Sequence, residues 1–329
     1  MRVAVLHDLL PDEARPDEED TVAQAEFVAE ELKTSGHAVE LVPFGLDLDK
    51  AGRALEAAKP DLVFNLVESV GGKARLLHLA PALLDAMGLR YTGCRTEALF
   101  LTTNKVVAKR MLALRGLPTA AWVTIDDLES SARIAGGRWI VKSVHEEASL
   151  GLGDDAVVEA CGPKLLEILA ERAPRLGDEA FAEAYVEGRE FNLSLLATEN
   201  CVQVLPAAET LFVDYAPGKP RIVGYAAKWQ EDSYEYNHTP RKFGAEKSEP
   251  LLARMLQDLA RQCWMLFKLE GYARVDFRVD EWSRPWILEV NANPCLSPDA
   301  GFMAAAKQSG LSVSDVLRRI VEAGGPGGR

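Results

Sequence analysis

Arg274, Asp276 and Arg278 alternate along Ala273–Val279, so a β-strand there would set all three on one face. A second segment runs through the apolar residues Trp286, Ile287 and Leu288 to Glu289 and Asn291, which share a face on either side of Val290. If the two strands are neighbours, Asp276, Glu289 and Asn291 converge as three oxygen ligands. Hard oxygen donors that leave room for water and phosphate oxygens suit Mg²⁺, with Mn²⁺ as an alternative ion. The same residues also fit a surface hairpin with its charges in water. Against that stands Glu289, at the end of an apolar strand, where a carboxylate needs a partner or a metal.

Three lysines form a second group. Lys105 follows Thr102-Thr103-Asn104 at the start of a basic helix, Lys142 ends the apolar strand Trp139-Ile140-Val141, and Lys228 follows Tyr225-Ala226-Ala227. Each is placed to meet a phosphate as a point charge, or to lay its stem along the surface with its charge in water. Between Lys142 and Ala156 lies a loop of small residues in which Ser149, Gly151 and Gly153 let backbone N–H groups approach phosphate oxygens. It has no Gly-Lys-Ser/Thr, so it is not a Walker loop.

The elements that must position these groups follow from hydrophobic periodicity. Strands at Val3–Leu6, Val39–Val42 and Leu62–Leu66 alternate with helices at Thr21–Lys33, Ala51–Ala58 and Leu76–Met87. That order predicts a parallel sheet with helices on its faces. The first strand is followed by His7-Asp8-Leu9-Leu10-Pro11-Asp12, without the Gly-x-Gly-x-x-Gly of a dinucleotide fold. The middle third predicts a helix at Lys105–Leu114, strands at Ala121–Ile125, Trp139–Lys142 and Val157–Glu159, and a helix at Lys164–Ala173. The final third predicts strands at Ala180–Tyr185, Glu190–Leu196, Cys201–Leu205, Arg221–Tyr225, Ala273–Val279 and Trp286–Val290. It adds helices at Glu249–Leu266 and Val313–Ala323, and a long polar segment, Trp229–Glu249, that reads as a mobile loop.

Composition sets limits on function. With 329 residues the chain is long enough for two or three domains, and 48% hydrophobic residues suffice for packed cores. The net charge of −13 argues against a broad nucleic-acid surface. Five scattered cysteines without a Cys-x-x-Cys pair suggest a reducing cytoplasm rather than a disulfide framework. No stretch is apolar enough to span a membrane, and Val3–Leu6 is too short for a signal sequence. Residues 324–329, rich in glycine, read as a flexible tail.

In this order the pieces resemble the ATP-grasp superfamily, and within it the D-alanine–D-alanine ligase family, most strongly from Tyr91 to Pro294. Arg274, Asp276, Glu289 and Asn291 match the family's Arg-x-Asp and Glu-x-Asn, YTGCRTEALFLTTNKVVAKRML its first lysine segment, and WIVKSVHEEASLGLG its strand, lysine and glycine loop. FAEAYVEGREF resembles its adenine hinge and YAAKWQEDSYEYNHTPRKF its active-site loop. The resemblance implies an α/β fold: an N-terminal parallel α/β domain (1–95), then two α+β subdomains (96–179 and 180–323) that sandwich ATP. It implies ATP contacts from Lys105, Lys142, Ser149 and Gly151, with Glu183 at the adenine amino group, Tyr185 and Val186 at the hinge, and Glu190 at the ribose. It implies Mg²⁺ on Asp276, Glu289 and Asn291, and catalytic roles for Arg274 and Lys228 under a lid at Trp229–Phe243. The implied reaction joins a carboxylate to an amine through an acyl phosphate. The partners are small amino acids or peptides, and a homodimer is compatible with the family.

The sequence departs from the family where substrates bind. Pro16-Asp17-Glu18-Glu19-Asp20 replaces the N-terminal motif, leaving Glu19 or Asp20 to meet the first substrate's ammonium. Asn65-Leu66-Val67-Glu68-Ser69-Val70-Gly71-Gly72-Lys73 replaces the His-Gly loop, with Lys73 and Arg75 nearby as contacts for a different acid. Ala300 stands where the family serine holds the second substrate's carboxylate, leaving Ser297 as a substitute donor, and Ala148 replaces the first serine of a pair. Three alternatives therefore stay open: ordinary ligase activity with compensating contacts, a ligase for other amino acids, peptides or biosynthetic intermediates, and an inactive ATP-binding homologue.

Overall fold

The computed structural model describes residues 1–130, 134, 136–177 and 179–324. Of the expected tail, 325–329 lie outside the described residues. These residues form three sheets. The first is parallel, in the order β2-β1-β3, with β1 at Arg2–Asp8, β2 at Ala38–Phe44 and β3 at Leu62–Asn65. Its strands are linked by helices at Pro16–Thr34 and Leu48–Ala58, as the alternating pattern predicts.

The first helix starts five residues earlier than its apolar spacing suggests. Pro16 occupies its first turn, the Glu18 carboxylate accepts from the Arg15 N–H at 2.8 Å, and Asp17, Glu18 and Glu19 meet the positive end of the helix dipole. This extension brings Asp20 into the helix, one turn in.

The second sheet is antiparallel, in the order β4-β7-β5-β6, with β4 at Trp122–Thr124, β5 at Gly137–Ser143, β6 at Val157–Ala160 and β7 at Ala180–Ala184. β7 lies between β4 and β5, so this sheet runs to Ala184. The third sheet holds β8 (Arg189–Ala197), β9 (Val202–Val204), β10 (Ala208–Thr210), β11 (Arg241–Lys242), β12 (Tyr272–Val279) and β13 (Pro285–Asn291).

Cores cut across the sequence boundaries. Ala98, Leu99, Ala108 and Leu112 come from helices at Thr96–Thr103 and Lys105–Leu114, and they pack with Phe191, Val275, Phe277 and Ile287 of the third sheet. Phe302, Ala305, Leu317 and Ile320 of the last two helices, Gly301–Gln308 and Val313–Ala323, pack instead against Val28 and Leu32 of the first helix. Apolar burial, worth about 25 cal/mol per Å², therefore ties the first sheet to the third, and Val106 of the helix Lys105–Leu114 packs against Phe181 of the second.

Two expectations for the final third are corrected. Arg221–Tyr225 is not a strand, because Tyr225–Trp229 is a short helix that carries Lys228. Trp229–Glu249 is not irregular throughout, since it contains helices at Tyr234–Asn237 and Ala245–Ser248 and the edge strand β11. Local hydrogen bonds organise it: the Ser233 hydroxyl accepts from the Tyr236 N–H at 3.0 Å, and the Leu211 N–H donates to the Pro240 carbonyl at 3.0 Å.

Candidate active site

Strand register brings the charged groups together. β12 pairs antiparallel with β13 so that Arg274 faces Asn291 and Asp276 faces Glu289, and with β8 so that Asp276 faces Asn192 and Arg278 faces Glu190. A β-bulge follows Asp276. All of these side chains line a cavity of about 550 Å³, bounded also by Lys142 of β5, Glu183 of β7, Lys105, Lys228 and the 143–152 loop.

The expected metal ligands already form one network. Arg274 donates Nε to Asp276 Oδ1 and Nη2 to Oδ2, both at 2.8 Å, while Asn192 donates to Oδ1 at 2.7 Å and Asn291 to Oδ2 at 3.1 Å. Burial lowers the basicity of Arg274, but the Asp276 carboxylate outweighs it and raises the guanidinium above its usual value. Glu289 is freer, with one 3.4 Å contact from Asn291. Burial would raise its carboxyl, yet Lys105, Lys228, Lys142 and Arg274 together hold it well below the usual range. Among the described residues no three His, Cys, Asp or Glu side chains are grouped to hold a metal. The donor set is two carboxylates and an amide, which fits a hard ion that keeps water and phosphate oxygens.

Glu183 sits deeper than expected. Its carboxylate lies 2.6 Å from the Lys109 ammonium and 3.1 Å from Lys142, and it is 1% exposed. Burial pushes its pKa up, but the two ammonium groups outweigh burial and hold it below the usual carboxylate range. Lys109 went unrecognised in the sequence, although its i+4 spacing from Lys105 puts both on one helix face. Lys105 donates to the Glu146 carbonyl at 2.8 Å and lies 3.7 Å from Glu147.

At the hinge, Arg278 donates to the Val186 carbonyl at 3.0 Å and to Glu190 at 3.2 Å, and the Tyr185 hydroxyl accepts from the Arg221 N–H at 2.9 Å. Gly188 adopts φ 144°, and a Cβ there would lie 2.1 Å from the Val279 carbonyl, so only glycine allows the hinge to approach β12 so closely.

The glycine-containing loop and the Lys228 helix are joined. Ser149 donates its hydroxyl to the Val223 carbonyl at 2.8 Å, the Tyr225 N–H reaches the Leu152 carbonyl at 2.9 Å, and Trp229 Nε1 reaches the Ala148 carbonyl at 3.0 Å. Gly151 does not line the cavity: its Cα faces Leu176 instead. Lys228 has no carboxylate within 4 Å among the described residues, and burial, followed by the like charge of Arg274, lowers its pKa.

At the N-terminal end Asp20 lines the cavity, whereas Glu19 is exposed and outside it. Of these two expected contacts only Asp20 faces the cavity, because helix periodicity turns neighbouring residues by 100°. Ser297 donates its hydroxyl to Asp20 at 3.0 Å and the Cys295 thiol donates to it at 3.2 Å. Ser297 is thus already engaged with a carboxylate. Neither Lys73 nor Arg75 lines the cavity, but Glu68 does. Glu68 accepts from Gln24 at 2.9 Å, and burial, with the charge of Asp8 behind it, pushes its carboxyl up to about 8. No helix among the described residues is long and apolar enough to cross a membrane.

Residues 114–322 match the family model described as D-ala D-ala ligase C-terminus. The D-alanine–D-alanine ligase of Chromohalobacter salexigens is 32% identical over 299 residues, 88% of each chain. An uncharacterised protein of Sinorhizobium fredii is 30% identical over 261 residues, 79% of this chain and 74% of its own. The crystal structure of D-alanine–D-alanine ligase from Bacillus anthracis complexed with ATP superposes with a TM-score of 0.72 at 20% identity, covering 98% of this chain and 97% of that one.

Proposed function

Because the chain belongs to the D-alanine–D-alanine ligase family of ADP-forming ATP-grasp enzymes, we propose that it joins an amino acid carboxylate to an amine at the cavity described above. One observation carries the assignment: Arg274, Asp276, Glu289 and Asn291 converge with Lys105, Lys142 and Lys228 on one cavity. A carboxylate oxygen of the first substrate attacks the γ-phosphorus of ATP, the bond to the β–γ bridging oxygen breaks, and ADP leaves. The amine nitrogen of the second substrate then attacks the acyl carbon, the carbon–oxygen bond to phosphate breaks, and the nitrogen loses a proton.

Phosphoryl transfer needs positioning and charge neutralisation more than covalent chemistry. Lys105 and Lys142 are assigned to the phosphates, with Ser149 on the loop that covers them. The Tyr185–Val186 hinge and Glu190 are assigned to adenosine, and Glu183 to orienting Lys142 while reaching the adenine amino group. Asp276, Glu289 and Asn291 are the residues that would hold Mg²⁺, which supplies charge neutralisation at the phosphates. The bidentate hold of Arg274 on Asp276 keeps both side chains fixed. Arg274 and Lys228 are the cations for the oxyanion of the acyl step. Asp20 is assigned to the first substrate's ammonium, with Glu68 beside it. The Trp229–Phe243 segment excludes water from an acyl phosphate that water would destroy.

A phosphate-release screen over pairs of D- and L-amino acids, with mass spectrometry of products, tests the reading. ADP, phosphate and an amide in equal amounts are expected. ATP hydrolysis without a condensed product from any pair would refute it.

A further inference from the structure

Six cationic side chains line the cavity: Lys105, Lys142, Lys228, Arg241, Arg274 and Arg278. Four of them face carboxylates: Lys105 meets Glu147, Lys142 meets Glu183, Arg274 meets Asp276 and Arg278 meets Glu190. Among the described residues, Lys228 and Arg241 have no carboxylate within 4 Å. Lys228 belongs to the phosphate end, where Glu289, Asp276 and Glu190 act on it. Arg241 lies at the other end, beside Asp299, Ala300 and Gly301.

Its position is built by the fold. The residue sits on β11, opposite Thr210 of β10, so its backbone is held by the third sheet. Its Nη1 donates to the Asp299 carbonyl at 2.8 Å, which leaves the other N–H groups of the guanidinium free for a ligand. Gly301 opens the helix Gly301–Gln308, whose N-cap, Ala300, supplies no side-chain acceptor, and a Cβ at Gly301 would stand 3.7 Å from Arg241 Nε. The helix start therefore offers unpaired N–H groups next to a cation, two features that favour the same anion. Arg241 is exposed to solvent, and the like charge of Arg274 also reaches it.

The alternatives at this end are engaged. Arg274 is clamped to Asp276, Ser297 donates to Asp20, and Ala300 has no hydroxyl. We propose that Arg241 is the specificity residue that holds the carboxylate of the amine substrate, in place of the hydroxyl that Ala300 lacks. The inference rests on the ligase reading for the word "amine", but the anion site is defined by Arg241 and the helix start.

Calorimetric titration tests it in the presence of Mg²⁺ and a β,γ-imido analogue of ATP. The probes are D-alanine, L-alanine and alanyl-alanine, each compared with its C-terminal amide. A charged hydrogen bond is worth about tenfold to a hundredfold in affinity. The wild type should prefer at least one free acid over its amide by that factor. Arg241→Ala should abolish the preference while changing amide affinity less than twofold, and Arg241→Lys should restore part of it. An unchanged thermal midpoint shows that the variants fold. Equal loss for acid and amide, unchanged acid affinity in Arg241→Ala, or a wild type indifferent to every amide pair would overturn the proposal. The ligase reading fails separately, through the phosphate-release screen: a protein without turnover that still recognises free acids through Arg241 loses only that reading.

Discussion

Lys109 and Glu183 form an ion pair of 2.6 Å in which the ammonium is 1% exposed and the carboxylate equally buried. Lys109 also donates to the Thr119 hydroxyl at 2.6 Å, and that hydroxyl donates to the Ile287 carbonyl at 3.0 Å. One lysine thus links Glu183 of β7 to β13. Replacing it by methionine keeps its bulk but leaves Glu183 with Lys142 alone. Breaking a buried pair from one side costs about 3–5 kcal/mol. Lys109→Met should lower the urea midpoint accordingly, and Lys109→Met with Glu183→Gln should recover most of the loss. Additive losses in the double variant would show that the pair is not coupled.

Four cations, Lys105, Lys228, Lys142 and Arg274, act on Glu289. Glu289→Gln retains shape and removes one charge, so turnover should fall by orders of magnitude while the circular dichroism spectrum stays the same. Raising Mg²⁺ should not rescue it. Near-normal turnover at saturating Mg²⁺ would remove Glu289 from the metal site.

Stability should depend on pH through Glu68 and Asp8. Burial raises both carboxyls, to about 8 and about 6, so the folded state binds protons that the unfolded chain has released. That stabilisation is full below the ordinary carboxyl range near pH 4 and is lost as pH rises through 6 and then 8. The urea midpoint of the wild type should therefore drift down between pH 6 and 8. Glu68→Gln should flatten that part of the curve, and an unchanged slope would place the titration elsewhere.

Trp229 anchors the start of the Trp229–Phe243 segment to the loop opposite it, and Tyr225 ties the preceding helix to the same loop. Hydrogen exchange in this segment should slow when ATP and a turnover-competent amino acid are both present, and less with ATP alone. Trp229→Ala removes the anchor and should increase ATP hydrolysis relative to condensation, because water gains access to the acyl phosphate. Identical protection with and without ligands would argue against a lid.

The sequence by itself determined the strand faces. Arg274, Asp276, Glu289 and Asn291 follow from a period of two, which is local and needs no partner. The parallel N-terminal sheet was legible for the same reason, since strand and helix periods alternate there without interruption. The helices Thr96–Thr103 and Gly301–Gln308 escaped notice because each is short, and in the first the buried face carries Thr102 and Thr103 while Phe100 is exposed, which blurs the apolar stripe. Only the tertiary structure decided which charges meet. Glu183 pairs with Lys109 across 74 residues, Asp20 meets Ser297 across 277, and Arg241 reaches Asp299 across 58. Such contacts depend on sheet register and on how helices from one end of the chain pack against the other. The residues proposed to hold the metal were therefore readable from spacing, while the contacts at the proposed substrate end had to wait for the fold.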